Sequence, residues 1–228
     1  MKKKIFIAVT LALSLLLTGC SDFDYGVSDT YATVKGYKTD PMPTDLVIPN
    51  EIDGKEVITI AANSFRDQSG IRSIALPSSL KTIERGAFEN CINLSQVVFP
   101  NSLTDLSGFK GCSGLTSISL SNATVKINEE AFMNCSALSN ITFSPSTLSI
   151  GDRAFANCTA LKSIDFTGSR VECIAKDAFS GCTNIESVSL TKAFIETYIA
   201  SDTAPSESFA SSLYDRMRPS QILCKLHK

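Results

Sequence analysis

The chain has no tryptophan and one histidine, His227. Most general acid–base schemes rely on an imidazole, so the catalytic routes open to it are few. Basic residues are scarce as well. Of 21 Lys and Arg, three (Lys2, Lys3 and Lys4) lie in the first four residues, leaving 18 against 23 acidic residues. A mildly acidic body without a basic cluster suits nucleic acid poorly, because that partner is held by neutralising phosphates. None of the eight cysteines forms a C-x2-C pair, the spacing common in zinc sites, so no metal or cofactor is expected. There is no phosphate loop and no nucleophile with a base nearby, and the chain is read as a non-enzyme. The longest apolar run, Ile5 to Leu17, has 13 residues and is too short to span a bilayer.

That run has a different meaning. Residues 1–20 read MKKKIFIAVTLALSLLLTGC: a lysine cluster, the apolar run, then small residues ending at Cys20. This is the layout of an export signal, assigned to residues 1–19. Leu17-Thr18-Gly19-Cys20 resembles a bacterial lipobox. The resemblance implies cleavage before Cys20, acylation of that residue and a membrane held through the lipid. More than one acyl chain is what stable anchoring needs. An ordinary secretory signal that contains a cysteine is the bland alternative. Ser21, together with Asp22 and Asp24, is similar to the start of lipoproteins sorted to the outer membrane or cell surface. Residues 20–30 are polar and aperiodic, and are expected to be a lipidated Cys with a flexible tether.

From Ser64 onward one sentence is written six times. The copies are SFRDQSGIRSIAL, AFENCINLSQVVF, GFKGCSGLTSISL, AFMNCSALSNITF, AFANCTALKSIDF and AFSGCTNIESVSL. Their phenylalanines are Phe65, Phe88, Phe109, Phe132, Phe155 and Phe179, at steps of 23, 21, 23, 23 and 24. A fixed period in the low twenties means a solenoid, in which no coil buries its own apolar face and each is roofed by the next.

One copy decodes the rest. Ala154, Phe155, Cys158 and Leu161 share a face if the segment is a short helical turn. Asn90, Gly111, Asn134, Asn157 and Gly181 precede the cysteines, and both residue types accept a left-handed backbone. Leu161, Ile164 and Phe166 then enter the core at strand spacing, and Pro77 and Pro100 close two of the strands. A second apolar anchor precedes each following Phe: Ile60, Ile83, Ile127, Ile150 and Ile174. In the 21-residue copy Leu106 stands only three before Phe109, which predicts a tightened corner. The first coil of a solenoid must differ from the others, and residues 31–63 are the expected N-terminal cap. Strands are predicted there around Tyr31, at Leu46-Val47-Ile48, and from Val57 to Ile60 after an Asp53-Gly54 turn. Residues 64–193 are the repeats, and residues 194–228 are a C-terminal cap or a loose tail.

The Ile74-Ala75-Leu76-Pro77 strand, Ile150-Gly151, and the Ala154-Phe155-x-x-Cys158 turn resemble the BspA-like, or Treponema pallidum-type, leucine-rich repeats. The segments around TVKGY and VIPNEIDGKEV resemble that family's first unit. The resemblance implies a repeat solenoid of about six coils with short parallel strands and short helical turns. It also implies a secreted or surface-held interaction module with adhesin-like binding of a protein or glycan.

Two features remain as candidate chemistry. Cys91, Cys112, Cys135, Cys158 and Cys182 occupy one column. Stacked sulfurs would allow disulfides or a metal ladder, but a small buried apolar position is the expected reading. Cys173 and Cys224 lie outside the column and could pair. The carboxylates Glu129, Glu130, Asp152 and Asp177 are expected on a solvated rim. The candidate binding face is the outward side of the main strands, represented by Arg72, Gln96, Val98, Ser117, Asn140, Thr142, Lys162, Asp165 and Glu186. It is hydroxyl-rich and poor in the Trp, Tyr and Arg anchors of tight interfaces, so weak binding multiplied over many copies is expected. A solvated sheet face is the bland reading. The competing functional reading is an accessory envelope lipoprotein docked on an outer-membrane partner.

Overall fold

The computed structural model describes residues 22–120, 125–143, 145–147, 149–169, 171, 173–175 and 177–189. The expected export signal, Cys20, Cys224 and the expected C-terminal cap lie outside the described residues.

The described residues open on a cap of five strands: β1 (Phe23–Val27), β2 (Tyr31–Tyr37), β3 (Asp45–Val47), β4 (Glu51–Ile52) and β5 (Lys55–Ile60). β2 alternates as the sequence predicts, with Ala32, Val34 and Gly36 buried and Tyr31 exposed. Asp53 and Gly54 take φ of 51° and 71° in the two-residue turn between β4 and β5. Two positive φ values in succession match the twist of a tight hairpin.

One expectation fails here. Residues 23–27, assigned to the flexible tether, form β1 and pair antiparallel with β2. The reason is Phe23, which is 5% exposed and packs edge-on against Tyr37 at 5.1 Å. Phe23, Tyr25 and Val27 do alternate with Asp24 and Gly26, but three positions between acidic and polar flanks are a short signal that composition outweighs.

Among the described residues each coil after the cap has an outer strand, and the first five have a return strand as well. The outer strands are β6 (Ser73–Ala75), β8 (Gln96–Val98), β10 (Ser117–Ser119), β12 (Asn140–Thr142), β14 (Ser163–Asp165) and β16 (Ser187–Ser189). The return strands are β7 (Thr82–Ile83), β9 (Asp105–Leu106), β11 (Lys126–Ile127), β13 (Ser149–Ile150) and β15 (Cys173–Ile174). With β1, β2 and β5, the return strands build one continuous sheet in the order β1-β2-β5-β7-β9-β11-β13-β15, with β4 paired to β5. Every pair beyond β1-β2 on that path is parallel. The outer strands form three shorter sheets, β3-β6-β8, β10-β12 and β14-β16.

The six repeat phenylalanines make a single file, with successive ring centroids 5.2, 5.2, 5.5, 5.3 and 5.2 Å apart and planes within 20° of parallel. That spacing is close to the separation of neighbouring strands, so the rings repeat with the backbone ladder. Phe99, Phe143 and Phe166, at the inner ends of their strands, meet the file edge-on. The second anchors Ile60, Ile83, Leu106, Ile127, Ile150 and Ile174 are all buried under the return sheet.

The Ala-Phe-x-x-Cys corners are tight turns and not the helical turns expected. In the second coil the Phe88 and Asn90 N–H groups donate to Gly108 and Lys110 of the next coil, while the Glu89 and Cys91 N–H groups donate within their own turn. A helix would return every N–H along its own chain. Two left-handed residues per corner prevent this. One set is the predicted one: Asn90, Gly111, Asn134, Asn157 and Gly181, with φ between 59° and 74°. The other is Asn63, Gly86, Gly108, Glu130, Arg153 and Asp177. At Gly111 and Gly181 a Cβ would collide with Oδ1 of the asparagine one coil below, Asn90 or Asn157, whereas Asn157 itself takes the place above Asn134 by donating to its Oδ1.

Candidate interaction surface

The outer strands carry their side chains as the spacing predicts, with the middle residue buried and its two neighbours turned out. Register lines the outward residues into columns. Ser73 stands beside Gln96, Ala75 beside Val98, Ser117 beside Asn140, Ser119 beside Thr142, and Ser163 beside Ser187. Arg72, Gln96, Val98, Ser117, Asn140, Thr142, Lys162, Asp165 and Glu186 are all exposed on this one face.

The columns start one coil earlier than the repeat pattern indicates, because β3 aligns Asp45 with Ser73 and Val47 with Ala75. Val47, Ala75 and Val98 thus form a short apolar line, and Val98 is 80% exposed. Lys162 and Glu186 lie on successive rungs at the other end, where the Glu186 N–H donates to the Lys162 carbonyl.

Not every hydroxyl is available. Ser95 Oγ donates to the Arg72 carbonyl and Ser139 Oγ to the Thr116 carbonyl, so these two reinforce the stacking. Asp165 accepts from the N–H and hydroxyl of Thr167 and holds the turn after β14. By contrast, the side chains of Gln96, Ser117, Asn140, Thr142, Lys162 and Glu186 make no hydrogen bond or ion pair to the described residues, which leaves their polar groups to solvent or a ligand.

The five column cysteines are buried and free. Each thiol donates to the carbonyl of the Phe one coil earlier: Cys91 to Phe65, Cys112 to Phe88, Cys135 to Phe109, Cys158 to Phe132 and Cys182 to Phe155, at 3.0–3.3 Å. Cysteine here is a small apolar residue with one weak donor, and it links consecutive coils. Burial pushes the Cys91 and Cys135 thiols up to about 12 and raises Cys112 further. Cys158 and Cys182 act on each other, which raises Cys158, as burial also does, and lowers Cys182. A thiol held protonated and buried is a poor nucleophile, which argues against thiol chemistry at Cys91, Cys112, Cys135 and Cys158, while Cys182 is kept from reagents by burial alone. Cys173 lies in β15, while Cys224 falls outside the described residues.

One carboxylate departs from its expected place. Glu130 is not on a solvated rim: its side chain is 9% exposed and accepts from Arg85 and Lys110, each at 2.9 Å, with Arg153 at 3.8 Å. The Lys110 hydrogen bond and the surrounding cations hold it below the ordinary carboxylate range. Arg85 reaches Glu130 across 45 residues, over the whole of the short coil. That coil turns at Ser107 and Gly108 with φ of 95° at the glycine, the tightened corner the spacing predicts. The missing two residues leave a hollow of about 210 Å³ lined by Arg66, Arg85, Gly86, Glu89, Gly108, Lys110, Glu129 and Glu130. No three metal-ligating side chains converge among the described residues.

Stacked coils with a continuous return sheet, a phenylalanine file and an outward strand face define a leucine-rich repeat scaffold. The family model for the BspA type leucine rich repeat region matches residues 44–123 and 106–209 in six copies. The chain belongs to that family. Among solved structures it is similar to the Treponema pallidum leucine rich repeat protein TpLRR, at 26% identity and a TM-score of 0.53, covering 76% of this chain and 71% of that one. A leucine-rich repeat protein from Bacteroides ovatus matches at 23% identity and a TM-score of 0.53, over 73% of this chain and 51% of its own. A protein from Faecalibacterium prausnitzii, described as a leucine rich cell surface protein, matches at 21% and 0.53, over 74% and 52%. The chain thus spans about half the length of the last two. No curated protein matches.

Proposed function

We propose that the chain is a lipid-anchored, cell-surface interaction module that binds a protein or glycan through the outer strand face. The observation that carries this reading is the row of exposed, uncommitted polar side chains from Gln96 through Ser117, Asn140 and Thr142 to Lys162 and Glu186. A rigid array with rungs about 4.8 Å apart can meet an extended ligand at repeated points. The lipobox-like Leu17-Thr18-Gly19-Cys20 supports anchoring, and membership of the BspA-type repeat family supports an interaction role. The face lacks large aromatic anchors, so each contact is weak and many copies at one surface supply the avidity.

Two experiments test this. Protease shaving of intact cells should remove the repeat body, whereas complete protection would place it inside the envelope and favour an accessory subunit. On a binding array of host-type proteins and glycans, the double variant Asn140→Ala, Thr142→Ala should lose signal relative to the parent chain. Unchanged signal would exclude the strand face.

A further inference from the structure

We propose that the notch over the short coil is a second binding site, for a neutral sugar unit held through a vicinal diol between its cations and its carboxylates. The hollow exists because the 21-residue copy lacks two corner residues, so the flanking coils overhang Gly108. Its charged lining is balanced, with Arg66, Arg85 and Lys110 against Glu89, Glu129 and Glu130. A simple anion placed there meets three carboxylates, and a simple cation meets three cations. Either loses by repulsion what it gains by attraction.

A vicinal diol escapes this, because each hydroxyl both donates and accepts. Donors and acceptors remain for it. Arg85 spends one nitrogen on Glu130 and is otherwise open, with its side chain 68% exposed. Lys110 has one acceptor, Glu130, among the described residues. Glu89 Oε1 is taken by Arg66 at 3.2 Å, and Glu129 has a single long contact to Arg153 at 3.7 Å. Glu130 itself is locked by its ion pairs and buried, so it shapes one wall without moving. The site lies at the corner of the coil, away from the outer strands, and does not depend on the strand face being used.

The test is ligand-observed saturation-transfer NMR on the full chain, using methyl α-mannopyranoside and methyl β-galactopyranoside as probes. Both carry a vicinal cis diol; tetrahydropyran-2-methanol, acetate and guanidinium serve as comparators. Transfer to both glycosides and to none of the comparators is expected. Arg85→Ala, removing a charge-assisted bond, should weaken binding about tenfold. Inserting Asn-Glu after Ser107 restores the 23-residue step, fills the notch and should abolish binding with little change in melting. Absence of transfer with either glycoside would overturn the proposal, as would competition by acetate or guanidinium. Undiminished binding in Arg85→Ala has the same force, and it decides the question if the insertion fails to fold. Loss in Gln96→Ala with retention in Arg85→Ala would move the sugar to the strand face, rejecting the notch while sparing the proposed function.

Discussion

Phe132 stands at the centre of the file, with Phe109 5.5 Å below, Phe155 5.3 Å above and Phe99 edge-on at 6.3 Å. Its removal opens a cavity whose walls are rings fixed by their own coils, so little collapse can fill it. Phe132→Ala should therefore cost about 3–5 kcal/mol, read from the urea midpoint. Thr147 shows the opposite case. It occupies the inward column of Leu80, Leu103, Val125 and Val171, and its hydroxyl is buried without a hydrogen-bond partner. Thr147→Val keeps the shape and removes the orphaned group, so a gain of about 1–2 kcal/mol is expected in the same assay. Neither residue is special in the chain as written; the stacking makes one indispensable and the other a defect.

At the scale of the element, the thiol column and the Glu130 clamp respond to pH in opposite directions. A thiol whose folded value is raised binds its proton more tightly in the native state. Its contribution is complete below the unfolded value near 9 and is lost as pH rises towards about 12 for Cys91 and Cys135. Cys135→Ala should accordingly flatten the alkaline fall in urea midpoint. Labelling of the five column cysteines by iodoacetamide at pH 8, read site by site, should follow global unfolding, since their sulfurs are buried in the folded chain. Glu130 is a carboxylate with a lowered folded value, so its contribution is present above the unfolded value near 4.5 and disappears as pH drops through the folded one. Glu130→Gln should be less stable than the parent at neutral pH, with the gap closing under acid. An unchanged gap at low pH would mean that the clamp acts by packing and not by charge.

For the whole molecule, cooperativity is the expectation, because each coil rests on its neighbours. Deleting residues 23–27 uncovers the edge of β2 and should lower the melting temperature of the entire body in one transition, measured by circular dichroism. The solenoid, its period, the phenylalanine file and the outward face could all be read from the chain, because six copies of one spacing repeat the same instruction. What was not legible has physical causes. Two-residue return strands such as Thr82–Ile83 carry no alternation to detect, yet together they form the longest sheet. The corners read as helical because Ala154, Phe155 and Cys158 share a helical face, whereas the left-handed residues at both ends send alternate N–H groups to the next coil. The Arg85–Glu130 pair is separated by 45 residues and is created by the shortness of the coil between them.

The position of β1 bears on how the molecule would stand at a membrane. Phe23 is already in the sheet, so only Ser21 and Asp22 separate it from Cys20. With acyl chains on Cys20, that leash reaches about 10 Å. Residues 22–60 carry eight carboxylates against three lysines, which an anionic headgroup layer repels. On the proposal that Cys20 is acylated, a leash too short to swivel freely, with a base that is pushed outward, would keep the long axis upright. Neighbouring copies would then offer their strand faces sideways at a common height, like palings in a fence.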